Sequence, residues 1–157
     1  MTKNLLFKMS HFTTVQTQFK DKECLVEALK TFFQEVENHN TAENLFGYRG
    51  DQRPQTAEVI IRRQFVGKLS NDIGFWYNRV DNCYNAYISE YDQKQLKYND
   101  QWLNKVKVEY SQKAIEKQAR KIGAGVEKVR MADGSVQYRI KTKAKQNKKF
   151  TQFQTNK

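Results

Sequence analysis

The sequence predicts an α+β fold: an antiparallel or mixed sheet of about six strands with two main helices, in the order β-α-β-β-β-α-β-β. Three observations carry this. Period-2 alternation recurs in short aromatic and β-branched runs. Two longer stretches repeat their apolar residues every three to four positions. Asp133-Gly134 is a strong two-residue hairpin signal.

The elements follow in order. Residues 10–19 alternate, with Thr13, Val15, Thr17 and Phe19 on one face, and read as a strand. Asp21 is placed to cap a helix, with Glu23 in its positive first turn. Leu25, Ala28, Leu29, Phe32 and Val36 form its apolar stripe, so the helix is expected to run to about Glu37. Residues 38–56 are polar, hold Gly47, Gly50 and Pro54, and read as a long loop. Residues 57–66 read as a strand, and the run Val59 to Ile61 fits one covered on both faces. After a turn at Ser70-Asn71 come the aromatic strand 72–78, a tight turn at Asp81-Asn82 and a strand over 83–90. Asn99 starts the second helix, which runs to about Ile122 on a stripe of Leu103, Val106, Tyr110 and Ala114, widened by Ile115 and Ile122. Gly123 and Gly125 offer the left-handed cap that ends it. Strands 126–132 and 135–142 flank the Asp133-Gly134 turn.

These elements organise the chain into an N-terminal extension (1–8), one α+β domain (9–142) and a basic tail (143–157) expected to be disordered on its own. No apolar run approaches the ~20 residues of a membrane span, and Leu5-Leu6-Phe7 is too short for a signal-peptide core. The protein is therefore expected to work where it is made.

Charge is unevenly placed. Residues 1–100 hold 13 basic and 13 acidic side chains, whereas residues 101–157 hold 15 basic against 4 acidic, so the whole net charge of +11 sits in the last third. That asymmetry suggests an anionic partner: nucleic acid, an acidic protein or an anionic membrane surface. Coding bias competes as an explanation, because Lys outnumbers Arg 20 to 8 and proline occurs once, the composition of an AT-rich genome.

No Ser/His/Asp or Cys/His arrangement stands out. The two cysteines, Cys24 and Cys83, and the two histidines, His11 and His39, show no zinc spacing, and no metal or cofactor is expected. Both cysteines read as small buried apolar residues. His11, at the start of a strand, reads first as structural and second as a functional group; His39 reads as solvated. Gly47-Tyr48-Arg49-Gly50 has the form of a G-x-x-G clamp but lacks its helical flanks. Phe75, Trp76 and Tyr77 invite comparison with sheets that stack bases on aromatics, although a basic residue before the glycine is missing; core packing is the plainer reading. Lys141, Lys143, Lys145, Lys148 and Lys149, interleaved with Phe150 and Phe153, are candidate anion contacts, set against a solvated tail.

Several blocks in order resemble a known family: Met9-Ser10-His11-Phe12-Thr13-Thr14, Lys20-Asp21, Cys24-Leu25, Asp72-Ile73-Gly74-Phe75, Trp102-Leu103-Asn104-Lys105-Val106 and Asp133-Gly134-Ser135. Over about Met9 to Thr142 the chain is similar to the hypothetical chloroplast open reading frame thirty-five family, a plastid and cyanobacterial domain of unknown function. Members tend to begin at the methionine of MSHFTT, which makes Met9 an alternative start here. The resemblance implies a plastid stroma or a cyanobacterial cytoplasm, and a link to photosynthesis. The expectation is a noncatalytic accessory factor in photosystem biogenesis that binds a protein partner. The alternative is an RNA-binding module using the sheet aromatics and the basic tail.

Overall fold

The computed structural model describes residues 11–142, and residues 151–155 as backbone. Alternation builds the first strand, β1 (Phe12–Phe19): Thr14, Gln16 and Gln18 are exposed, while Val15 and Phe19 pack inward. Asp21 caps α1 (Lys22–Leu29) as expected, its carboxylate accepting from Cys24 N at 3.0 Å. The helix stops eight residues short of Glu37. The Thr31 hydroxyl donates to the Ala28 carbonyl at 2.6 Å, and a tight turn rolls Phe32 and Phe33 onto Trp102, both edge-on at 6.0 and 5.7 Å. Aromatic packing outweighs the helical periodicity here.

The predicted loop over 38–56 is a hairpin, β2 (Glu37–Phe46) and β3 (Gln52–Ile61). The reason is position: β2 is an edge strand, and of its ten residues only Leu45 is fully buried. An edge wetted on most sides leaves no apolar alternation to read. Pro54 is tolerated because β3 meets β4 only over residues 59–61, leaving one side of its first half unpaired. The strand expected over 57–66 ends at Ile61. There the Asp72 carboxylate accepts from Arg63 N at 2.7 Å and turns the chain into the short α2 (Arg63–Val66).

The rest follows the expected order: β4 (Ile73–Asn78), β5 (Cys83–Ser89), the short α3 (Glu90–Lys94) and the long α4 (Asp100–Lys121), capped by Asn99 and ended at Gly123 with φ +68°. Then come β6 (Gly125–Arg130), β7 (Val136–Lys141) and β8 (Thr151–Thr155). In the segment read as a tail, β8 is a strand paired antiparallel with β7, Ile140 opposite Thr151.

The strands form two antiparallel sheets, one ordered β1-β5-β4-β3-β2 and the other β6-β7-β8. One face of the larger sheet (Val59, Ile61, Ile73, Phe75, Ala86, Ile88) packs against Leu25 and Leu29 of α1 and Trp102, Leu103 and Val106 of α4. Each such aliphatic or aromatic side chain contributes roughly 1.5–3 kcal/mol by leaving water. The other face carries a smaller cluster, Leu45, Ala57 and Ile60, flanked by Phe12, Trp76 and Tyr87. The far half of α4 covers the small sheet through Ile115 and Ala119 against Val136, Tyr138 and Ile140.

Candidate functional site

The structure separates the residues that sequence reading grouped. Phe75 is fully buried under the helices, edge-on to Phe19 at 6.2 Å, and offers no face to a base. Tyr77 lies on the same side, 37% exposed, packed edge-on against Tyr84 at 5.2 Å. Trp76 points to the opposite face, stacked on Tyr87 at 5.4 Å and 17°. Alternation along β4 thus divides the three aromatics between two faces. His11 is exposed before β1, and its carbonyl accepts from Glu90 N at 3.1 Å. His39 is on β2, its Nε2 2.7 Å from Glu37 Oε1. Lys141 is exposed at the end of β7 and pairs with Glu127 at 3.2 Å. Lys143, Lys145, Lys148 and Lys149 lie outside the described residues.

One polar cluster is buried. Ser70, Asn71, Asp72, Ser89 and Asp92 are all 0–1% exposed. Asp72 accepts from Phe46 N, Arg63 N and Arg62 Nη1 at 2.7–2.9 Å, and Arg62 Nε donates to Glu37 at 2.8 Å. The Arg62 bond holds the Glu37 carboxyl below the usual range against its partial burial, with His39 adding to the effect. Burial opposes the Arg62 charge, but its bonds to Glu37 and Asp72 outweigh that and raise its pKa. Burial pushes the Asp92 carboxyl up, although the Ser89 hydroxyl donates to it at 2.7 Å and Asn71 N at 3.1 Å. Asn71 in turn accepts from Tyr48 N at 3.0 Å. These groups face one another and the backbone, fastening the β2–β3 turn and α2 to the start of β4. Among the described residues no group of three or more His, Cys, Asp or Glu side chains is placed to hold a metal ion.

A different feature is open: the outer edge of β1, which among the described residues pairs only with β5. His11 O accepts from Glu90 N, and Thr17 N donates to Asn85 Oδ1, so the odd-numbered residues of β1 turn their backbone inward. The register Thr13–Ile88 and Val15–Ala86 continues that alternation. The backbone groups of Phe12, Thr14 and Gln16 therefore face outward. Between Phe12 and Phe19 the strand has no charge and no proline, two of the devices that blunt an edge, although its register with β5 shifts between Val15 and Phe19. Alongside it lies a groove of about 440 Å³ between β1 and α4, lined by Gln16, Gln18, Phe19, Leu103, Lys107 and Tyr110 among others. Tyr110 fixes its far end: its ring lies 5.0 Å from that of Phe19, and its hydroxyl accepts from Lys20 N and Asp21 N at 3.0 and 2.8 Å. The alternation over residues 10–19 signals the strand. It does not show that β1 is an edge, because that depends on where β5 returns.

Comparison with known proteins gives one match. The model of a family described as "Protein of unknown function (DUF1257)" matches residues 28–138. No curated protein and no solved structure matches. No helix of the described residues is long and apolar enough to cross a membrane.

Proposed function

We propose, for a chain that belongs to the DUF1257 family, that it is a noncatalytic accessory protein that captures an extended segment of a protein partner as an added strand on β1. The observation that carries this is the uncharged outer edge of β1 with outward-facing backbone at Phe12, Thr14 and Gln16, beside a groove. In strand addition the main chain supplies affinity and alternate side chains supply selectivity. Here those side chains would meet Phe19, Leu103 and Tyr110 as apolar wall and Lys107 as the exposed cation of the groove. The resemblance to the chloroplast open reading frame thirty-five family and the AT-rich composition support a plastid or cyanobacterial setting, with a subunit or assembly factor of a photosynthetic complex as the partner.

Amide hydrogen exchange tests the edge directly. In the free chain the Thr14 and Gln16 amides exchange fast while those of Thr13 and Val15, turned toward β5, exchange slowly. In a complex purified from a plastid or cyanobacterial host the first pair becomes protected. Gln16→Pro removes an outward donor without touching the inward ladder and abolishes the complex. Slow exchange at Thr14 and Gln16 in the free chain, or a complex that survives Gln16→Pro and Thr14→Lys, would refute the proposal.

A further inference from the structure

The chain between α2 and β4 and the chain after α3 are clamped together. Ser70 N donates to Gly67 O at 3.2 Å, a turn that puts Lys68 and Leu69 at its tip. Leu96 lies on this turn: a Cβ at Gly67 would sit 2.7 Å from the Leu96 Cδ1, so glycine leaves Leu96 its seat. Beneath, Asp92 ties the two segments, its carboxyl accepting from Asn71 N at 3.1 Å and its backbone carbonyl from Tyr98 N at 3.0 Å. On this fixed base Leu69 is 57% and Leu96 37% exposed. Among the described residues Tyr77, Val80 and Ile122 are the other exposed large apolar side chains. The first two belong to one hairpin and Ile122 to the end of α4, so the leucine pair is the one assembled from two segments. Charge flanks both leucines. Lys68 precedes Leu69, and Lys94 and Lys97 bracket Leu96; all three are exposed, and residues 67–70 and 94–98 hold no acid. Lys94 lies 3.9 Å from Glu90, whereas Lys68 and Lys97 form no ion pair among the described residues. Lys97 has φ +63°, so a cation occupies a position that backbone preference would give to glycine.

We infer that this leucine–lysine patch is a peripheral contact for an anionic lipid surface. Leucines at exposed turns can enter the boundary between headgroups and acyl chains while neighbouring lysines stay among the headgroups. The composition decides against a protein partner. Protein interfaces are enriched in aromatic residues and arginine and depleted in lysine, and a standard one buries about 800 Å² on each side; here two leucines stand among three lysines. It also decides against RNA, because the exposed side chains of the patch include no aromatic on which a base could stack. Each lysine near an anionic surface raises partitioning about 5-fold. Two partly exposed leucines add an apolar contribution smaller than that of an acyl chain, so the contact is reversible rather than an anchor. The patch uses none of the residues of the β1 edge or of the groove beside it.

The test is cosedimentation of the full chain with vesicles of phosphatidylcholine containing about one third phosphatidylglycerol, beside vesicles of phosphatidylcholine alone. Binding is expected on the first and roughly 100-fold weaker on the second. Lys68→Gln with Lys97→Gln lowers the affinity about 30-fold. Leu69→Ser with Leu96→Ser leaves the charge unchanged and lowers it roughly 10-fold. Both effects persist when Lys143→Gln, Lys145→Gln, Lys148→Gln and Lys149→Gln remove the attraction that any basic segment has for anionic lipid. Circular dichroism checks that each variant stays folded, and Leu69→Ser alone, at the more exposed leucine, serves if the pair does not. Equal binding to the two vesicles, or none to either, overturns the inference. So does binding that ignores the leucine and lysine pairs and vanishes with the four C-terminal lysines. A labelled oligouridylate that binds more tightly than the anionic vesicles, and is weakened by the same two pairs, also overturns it. None of these variants touches β1, so strand capture stands or falls separately.

Discussion

Gly74→Ala should destabilise the protein, against what local backbone preference alone would give. Gly74 lies in β4, where alanine restricts the unfolded chain more than glycine and would by itself add about 0.5–1 kcal/mol. The packing opposes this. A Cβ at residue 74 would sit 2.8 Å from the Ala57 Cβ and 2.8 and 2.9 Å from the two Leu45 methyls, where carbon atoms at rest keep about 3.5–4.0 Å. Ala57 cannot rotate away, and Leu45 is fully buried. The remaining freedom is for β2 to lift from the sheet. Overpacking of this kind costs about 1–3 kcal/mol, which for a chain of this size lowers Tm by roughly 2–12 °C. Urea unfolding followed by tryptophan fluorescence reads the change, since Trp76 stacks on this face. Leu45→Ala alone should cost about 2–5 kcal/mol, and the double variant should fall short of the sum by at least ~1 kcal/mol because the deleted methyls are the ones in the way. An unchanged or higher midpoint for Gly74→Ala, or strict additivity with Leu45→Ala, would show that the close approach does not govern this strand.

Other outcomes follow from the buried acid and the first helix. Asp92 has a folded pKa above the ordinary 3.8, chiefly through burial. Its contribution is therefore greatest below that value and declines as pH rises through the folded pKa. Asp92→Asn should accordingly gain stability relative to the parent as pH goes from 4 to 7 in urea titrations, and a pH-independent difference would contradict this. Glu37 has the opposite sign: its depressed carboxyl stabilises above about 4.5 and stops doing so as pH falls through the folded value. Glu37→Gln should thus flatten the acid limb of the same titration. Asp21→Ala removes the acceptor for Cys24 N and should cost about 1 kcal/mol, while Asp21→Ser should recover most of it. Cys24, buried in α1 and pushed up to about 11 mainly by burial, should resist iodoacetamide at pH 8 until the chain is unfolded.

What was legible in the sequence was local and amphipathic. α4 announces itself by Asn99, its apolar stripe and Gly123, and the Asp133-Gly134 hairpin by its turn; each signal lies within a few residues of the element it specifies. The β2–β3 hairpin was read as a loop because its burial is decided from outside: Leu45 is covered, while Asn38, Asn40 and Glu43 are exposed. The sequence reads Ser70-Asn71 as a turn and Asp72 as the start of a strand, and nothing in it signals that all three are buried. Their partners are Phe46, Tyr48, Arg62, Arg63 and Asp92, up to 26 residues away, and no local pattern reports them.

The block Asp72-Ile73-Gly74-Phe75 shows what such a motif records. Asp72 collects three donors, Ile73 and Phe75 fill the helix-covered core, and Gly74 makes room for Leu45 and Ala57. Every position is accounted for by packing and backbone satisfaction, so the block positions the sheet rather than performing chemistry. The candidate β1 site is the reverse case. Its working groups are main-chain N–H and C=O, which every non-proline residue carries, so no side-chain signature marks them. What the sequence supplies is restraint: eight residues from Phe12 to Phe19 without a charge or a proline. At an edge strand that restraint runs against ordinary protection from unwanted pairing. Among the described residues the edge is unpaired, as the proposed capture of a partner requires, so the exchange rates of Thr14 and Gln16 test that proposal more directly than any side-chain substitution in the core.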